Sequence, residues 1–490
     1  MVTLPAAALK DLELIPQLVE AGMNCARINC AHDDPSVWRT LAGQVRDAAQ
    51  QQGRDCLILM DLGGPKVRTG DIEPGPPVIT WRIQKNAVGE VIRKARVALC
   101  PTHLTHSVAV ADADVVIPLT TDKELDLQSG QQIHFRDLRN KRRSLEVLTS
   151  RHGVVYANAS QRAYVVPGMV LKVHSKDEDA SVDHLTIADF EGDVTPLQLR
   201  DGDRLWLTRP SKLGRPAAEE TGPSIAHIPC TLPEIFPNLR EGESIKFDDG
   251  KISGKILEVR EEETLVEITQ AGPTGRRLAP DKGINFPESN LAISGMVKKD
   301  LEDLGTIVEL ADMVALSFVN EAEDITRLKA ELEKLNASDM GIVLKIETRR
   351  GFENLPMLLL AAMQSPSVGV MIARGDLGVE CGWERMAELQ EEILWLCEAA
   401  HIPVIWATQV LESLAKKGLP SRGEITDAAM SQRAECVMLN KGPHIVEAVS
   451  MLDDILQRMQ EHQMKKTSML RMLHVSNLLA GNSENQREED

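Results

Sequence analysis

Eight short apolar runs, most of them closing on charged, hydroxyl or glycine residues, constrain this chain more than any other feature. They are MVTLP, CARINC, LILMDLGG, DMVALSFV, GIVLKIE, VGVMIARGD, PVIWATQ and CVMLNKG. Helical patterns separate them, at 9–21 and 35–51 and again at 320–337, 350–363, 383–400, 422–433 and 444–462. Strands buried on both faces read as unbroken apolar runs, and alternation of such strands with helices makes a parallel sheet. Eight strand–helix units are what a (β/α)8 TIM barrel requires. With aromatic residues at only 3% of the 490 residues, the core must be aliphatic.

The alternation breaks after the third strand. From about Asp71 to 290 the pattern turns to short period-two segments and turn signals, which predicts an inserted β-rich, barrel-like lid domain, larger than such an insert needs to be. A small pattern recurs within it: Leu125 to Phe135 around Gly130 and Leu197 to Leu207 around Gly202, with shorter echoes at Gly168 and Gly242. Each reads as a strand, a glycine turn and a second strand, and their recurrence suggests an internal duplication. The barrel is then expected at 1–70 and 291–463, with a polar tail at 464–490. The extra part of the insert, about 75–195, has no functional assignment from sequence.

Net charge is −18, which disfavours a nucleic-acid footprint. One basic run, Arg136 to Arg143, stands against that trend and reads as a solvated loop or strand edge. The eight cysteines are scattered without a CxxC pair, as expected of reduced core thiols in a cytoplasmic protein. No signal-peptide pattern is visible and no apolar run reaches about 18 residues, so no membrane partner is expected.

In a (β/α)8 barrel the chemistry gathers where strands end and loops begin. Those positions hold Arg27, Asn29 and His32; Asp61, Lys66 and Arg68; Ser317; Lys345 and Glu347; Arg374, Gly375 and Asp376; and Thr408. Lys345 and Glu347 are two apart on one strand and share a face. Glu347 and Asp376, on neighbouring strands, suit Mg2+ or Mn2+, which accept few carboxylates and keep waters or substrate oxygens. Arg27, Arg68 and Lys345 supply cations for a transferring phosphoryl group. Backbone N–H groups at Gly375 and Asp376, with Thr408 nearby, offer a place for an anionic carboxylate. Walker-type glycines and protein-kinase motifs are lacking.

The stretches AGMNCARINCAH, MDLGGPKVRTG, KFDDGKIS, DKGINFPESNL, VALSFV, LKIETRRGFEN, VMIARGDLGVE and IWATQVLES occur in this order across nearly all of the barrel. The sequence resembles the pyruvate kinase family. That resemblance implies phosphoryl transfer from phosphoenolpyruvate to ADP, giving pyruvate and ATP in glycolysis. It implies that Lys345 stabilises the phosphoryl group, that Glu347 and Asp376 hold the metal, and that Arg27, Arg68 and Ser317 contact phosphate. Gly375, Asp376 and Thr408, beside Arg374, would bind the carboxylate, with Thr408 near the protonation step. His32, Arg68, Asp249 and Lys282 would face the nucleotide, the last two from a mobile lid. A homo-oligomer is compatible with the family.

Four departures narrow the expectation. Many relatives bind K+ through an Asn, a Ser, an Asp and a Thr; here Asn29 and Asp61 remain, but Ala31 and Leu62 replace the hydroxyls and Lys66 replaces an acid. This resembles the K+-independent branch, with the Lys66 ammonium in place of the ion. The Ser-Gly-Glu-Thr stretch after the last strand is Asn440-Lys441-Gly442-Pro443, which touches the proton-donating network. Against the same family pattern, the usual C-terminal domain and its sugar-phosphate effector site are expected to be absent, and the lid is expected to be about twice its usual size. Two alternatives stay open at this stage: another metal-dependent barrel enzyme acting on an enolpyruvate or oxaloacetate, and a catalytically impaired regulatory relative.

Overall fold

The computed structural model describes residues 1–105, 112–121, 123, 125–174, 183–217, 225–291 and 295–463; the expected tail, 464–490, lies outside them. Two compact units emerge, one made of Met1–Asp71 with the chain from Leu197 onward, the other of Ile72–Pro196.

The first unit carries the (β/α)8 barrel. Its eight parallel strands follow in chain order: Val2–Thr3, Cys25–Asn29, Leu57–Asp61, Met313–Leu316, Gly341–Ile346, Val368–Ala373, Val404–Ala407 and Cys436–Val437. Val2 pairs with Leu439 and closes the ring. Cys25, Leu59, Ala315, Val343, Met371 and Ile405 form an apolar layer, one residue from each of six strands. Arg27, Asp61, Ser317 and Lys345 stand two residues further along four of those strands. With a side-chain period of two, they continue the same row. A single row therefore runs from an apolar plug into a charged rim.

The helix Pro35–Gln52 shows why the local sequence folds as it does. Asp34 caps it by accepting from Ser36 N (2.8 Å) and Val37 N (3.4 Å), Pro35 takes the first helical position, and Gly53 ends it in the left-handed region (φ 62°). Its buried face centres on Trp38, whose indole N–H donates to the His32 carbonyl (3.0 Å). Other helices differ from expectation in detail. The 9–21 pattern becomes a 3-10 turn at Ala6–Lys10 and a helix at Leu14–Glu20. The helix Lys298–Leu310 is an addition to those expected, its apolar residues Leu301, Leu304, Ile307 and Val308 falling at helical spacing. The Gly375-Asp376-Leu377-Gly378 segment at the end of the sixth strand lies within the helix Arg374–Cys381.

The first unit also contains a six-stranded sheet. From edge to edge it runs Ala226–Pro229, Arg204–Thr208, Glu263–Gln270, Ile252–Val259, Ser244–Phe247 and Ile284–Asn285. The second unit holds a seven-stranded sheet: Val115–Leu119, Ala95–Pro101, Val154–Ala159, Arg142–Arg151, Gln132–Arg136, Val170–His174 and Asp183–Thr186. Its own core includes Trp81, Val97, Leu99, Ile133, Phe135 and Val155. The glycines of the recurring pattern do make turns, with φ of 86° at Gly130 and Gly202 and 89° at Gly242. The segments flanking them do not pair with each other as hairpins. Leu197–Leu199 pairs with Arg276–Leu278, whereas Arg204–Thr208 pairs with Glu263–Gln270. The basic run caps a true hairpin, Gln132–Arg136 with Arg142–Arg151.

Trp38→Ala would remove both the buried ring and its hydrogen bond to His32. A loss of about 3–5 kcal/mol is expected, read as an earlier denaturant midpoint of the barrel's unfolding transition.

Candidate active site

At the charged rim Asp61 is fully buried and acts as the central counter-charge. Its Oδ2 accepts from Arg27 Nε (3.0 Å) and Nη2 (2.5 Å) and lies 3.3 Å from Lys345 Nζ. Lys345 also donates to Ser317 Oγ (2.8 Å) and lies 3.0 Å from Glu347 Oε1. Ser317 Oγ in turn donates a hydrogen bond to the Leu62 carbonyl (2.7 Å). Glu347 accepts from Phe318 N at 2.7 Å, and Phe318 adopts φ 53° to present it. A non-glycine residue in that region marks a backbone held by its surroundings.

The charges set one another. Burial opposes ionisation of Lys345, but the Glu347 and Asp61 carboxylates outweigh it and hold the ammonium above its ordinary value. Burial also opposes the Asp61 carboxylate, and Arg27 and Lys345 overcome it to hold that group below the usual range. Glu347 goes the other way: burial and the neighbouring Asp376 push it up despite Lys345. Glu347 and Asp376 thus feel each other's charge even with Lys345 beside one and Lys66 beside the other, and two such carboxylates suit a divalent cation. Among the described residues no cluster of three or more His, Cys, Asp or Glu side chains makes a metal cage. A hard cation that keeps waters and substrate oxygens does not need one.

Around this core, Lys66 Nζ lies 3.6 Å from Asp376 Oδ1. The ion pairs of Asp61 are with Arg27 and Lys345, whereas the Lys66 ammonium pairs with Asp376. Asn29 uses its Oδ1 locally, accepting from Ala31 N (3.1 Å), and His32 is exposed. Gly375 N donates to Thr408 Oγ1 (3.0 Å), so that N–H is already engaged. Thr408 and Gln409 both have positive φ (66° and 60°). Arg374 is buried; it grips Asp427 through both terminal nitrogens, donates to the Ala407 carbonyl (3.0 Å) and the Thr408 carbonyl, and stacks over Trp406. It therefore props the backbone of Thr408.

Arg68 Nη1 bonds the Asp281 carboxylate and carbonyl, both at 3.0 Å. Lys282 pairs with Asp248 Oδ1 (3.2 Å). Asp249 instead lines a cleft of about 570 Å3 together with Lys66, Phe318, Thr348, Arg350 and Asp376. Two contacts tie the six-stranded sheet to the helix that begins at Arg374. Lys246 Nζ donates to the Val379 carbonyl (2.5 Å), and Asn285 Nδ2 to Glu380 Oε1 (2.8 Å). Burial, aided by Asp376, raises the Glu380 carboxyl to about 7.

Sequence reasoning missed Asp427, Asp281, Asp248 and Glu380. Asp248, Asp281 and Glu380 each stand in one of the ordered motifs, KFDDGKIS, DKGINFPESNL and VMIARGDLGVE, whereas Asp427 stands in none; all four lie far along the chain from the groups they pair with.

A parallel (β/α)8 barrel is interrupted after its third strand by a β-rich insert and carries buried Lys, Asp and Glu at its strand ends. The family model described as pyruvate kinase, barrel domain matches residues 2–155 and 178–447. The chain is 34% identical over 457 residues to a pyruvate kinase of Sporosarcina psychrophila, covering 91% of this chain and 54% of that one. It is 30% identical over 461 residues to that of Bacillus licheniformis, covering 93% and 56%. To that of Agrobacterium vitis it is 33% identical over 300 residues, covering 60% and 59%. A pyruvate kinase structure from Cryptosporidium parvum matches in fold with a TM-score of 0.61 at 20% identity, over 94% of this chain and 68% of that one. The chain belongs to the pyruvate kinase family, and it spans a little over half the length of these curated relatives.

Because the folded pKa of Asp61 lies below the unfolded value of about 3.9, its stabilisation is complete above that value and is lost as pH falls through the folded one. Denaturant midpoints measured from pH 7 down to pH 3 should fall less steeply in Asp61→Asn than in the wild type. The variant starts from a lower midpoint, since Arg27 and Lys345 lose their shared counter-charge.

Proposed function

We propose that this chain transfers a phosphoryl group from phosphoenolpyruvate to ADP, yielding pyruvate and ATP, as a cytoplasmic enzyme of glycolysis. The observation that supports this best is the Lys345 ammonium, fixed among Ser317, Asp61 and Glu347 at 2.8–3.3 Å and kept charged by its surroundings. A buried, oriented cation is the group that stabilises charge on a phosphoryl in flight. Glu347 and Asp376 would hold Mg2+ or Mn2+, which when bound neutralises phosphate charge and orients oxygens. No third protein carboxylate is required of that site.

Arg27, Arg68 and Ser317 would contact phosphate. Arg27 does so with its guanidinium anchored on Asp61, so its position is set before substrate arrives. Thr408 would serve the carboxylate and the proton-transfer step, positioned by Gly375 and by Arg374 behind it. His32, Arg68, Asp249 and Lys282 would face the nucleotide. Lys282 is fixed by Asp248, and Asp249 opens onto the cleft beside Asp376. The segment 71–290 would act as the lid over 1–70 and 291–463. In its six-stranded sheet, the Lys246 and Asn285 contacts with the Arg374–Cys381 helix would latch closure and exclude water. Lys66, one fixed positive charge beside Asp376, would stand in for K+.

Lys345→Met is expected to lower ATP formation from phosphoenolpyruvate and ADP by at least about a hundredfold while Mn2+ binding is retained. Undiminished turnover sinks the assignment. Pyruvate absent even from wild type at high enzyme, with metal and phosphoenolpyruvate bound, would identify a regulatory relative instead.

Activity in Na+ or Tris buffers free of K+ should match that with K+ added, and Lys66→Glu should create a K+ requirement. A steep K+ dependence of the wild type would remove the stand-in role.

A further inference from the structure

We propose that residues 72–196 are a second copy of the six-stranded lid sheet, converted into a docking surface for an acidic protein segment. The proposal does not depend on which reaction the barrel carries. The two sheets match strand for strand, and the extra edge strand Asp183–Thr186 completes the seven. In each, one edge pair is parallel: Ala95–Pro101 with Val115–Leu119, and Arg204–Thr208 with Ala226–Pro229. All the other neighbours are antiparallel in both. The central hairpin carries a register shift at the matching place, between Val147 and Thr149 in one sheet and between Ile256 and Glu258 in the other. Each unit also has the same side ribbon, Ile79–Thr80 with Tyr164–Val165 and Leu197–Leu199 with Arg276–Leu278. Bulges and mixed pairings are specific features of a fold, and their joint recurrence in order points to repetition of one unit. Ile133 and Phe135 after Gly130 repeat Ile245 and Phe247 after Gly242 in the sequence itself.

The copy keeps the sheet and changes its tip. Four residues lie between Phe247 and its partner Ile252, among them Asp248 and Asp249. Seven lie between Phe135 and its partner Arg143, and four of these are basic: Arg136, Arg139, Lys141 and Arg142. The pairing also aligns Lys282 with Met169, so the copy lacks both the double aspartate and the lysine. Asp137 pins the tip from within, accepting from Arg139 N (3.0 Å), Lys141 N (2.9 Å) and Arg143 Nε (2.9 Å). The four basic residues and nearby Arg162 are exposed, and none has an ion pair among the described residues.

The chemistry of the patch selects its partner. Arg139 and Arg162 both lie over the Tyr164 ring, at 4.0 and 4.9 Å, which orders their guanidinium groups for carboxylates. The ring is thereby occupied and is no platform for a base. Leu138, 58% exposed at the turn, supplies an apolar contact. Within 72–196 there are 15 Lys and Arg against 16 Asp and Glu, so nearly all of the −18 belongs to the rest of the chain, a field that opposes a long polyanion. A short segment bearing carboxylates around an apolar residue fits these features.

The test is fluorescence anisotropy of a labelled Glu- and Leu-rich peptide titrated with the full chain at low salt. A labelled single-stranded oligonucleotide and tripolyphosphate serve as the comparison arms. Saturable peptide binding is expected, weakened at least about tenfold by Arg139→Glu with Arg142→Glu, several-fold by Leu138→Ser, and progressively by salt. ATP formation should be unchanged in these variants. If the double variant fails to fold by circular dichroism, Lys141→Glu alone should still weaken the peptide. Absent peptide binding, affinity unaffected by charge reversal, or oligonucleotide or tripolyphosphate binding as tight as the peptide overturns the proposal.

Discussion

The barrel's rim depends on one buried carboxylate. Asp61 is fully enclosed, and its Oδ2 alone takes Arg27 and stands 3.3 Å from Lys345. Two cations in a water-poor place would each lose several kcal/mol of hydration; without a partner the Lys345 ammonium would be driven toward its neutral form and the Arg27 guanidinium, which stays charged, would be left uncompensated. Asp61 sets both, so that Arg27 and Lys345 keep their charge and orientation before any ligand is present. Glu347 completes the arrangement with the opposite bias. Its carboxyl is pushed toward the neutral form by burial and by Asp376, and a divalent cation between the two would relieve that imbalance.

This electrostatic rim is possible because of what lies under it. The inward row of the barrel strands is apolar at Cys25, Leu59, Ala315 and Val343, then charged or hydroxyl-bearing two residues later. The plug excludes water from below, which strengthens every ion pair above it. Three non-glycine residues at the same level, Phe318, Thr408 and Gln409, adopt left-handed backbone angles that aim an N–H, a hydroxyl and a turn at the rim. Arg374 is the clearest support. Held by Asp427 and by two backbone carbonyls, it contributes position to Thr408.

Much of the fold could be read from local pattern, because a strand buried on both faces can hardly avoid being a continuous apolar run. The eight runs, their order and the interruption after the third all appear in the structure. Helix ends were legible where caps are local, as at Asp34, Pro35 and Gly53. They were not legible at Arg374–Cys381, where a glycine-rich segment becomes helical because it follows a fixed strand end. The glycine turns were legible as turns, but pairing was not. Leu197–Leu199 finds its partner about eighty residues away, and nothing within the pattern distinguishes that from a hairpin.

Sequence by itself determined the residue types at the rim, the family and the architecture of the barrel, since each rests on short-range periodicity or on motifs that read in order. Tertiary structure decided how those residues are used. It assigned Lys345 three neighbours from three different segments and gave Lys66 to Asp376. It paired Arg374 with Asp427, and it revealed two sheets of one topology whose turns carry opposite charge. The physical reason is that ion pairs and strand pairings join groups tens to hundreds of residues apart. Their free energy depends on burial and distance, and neither is a property of a position in a sequence.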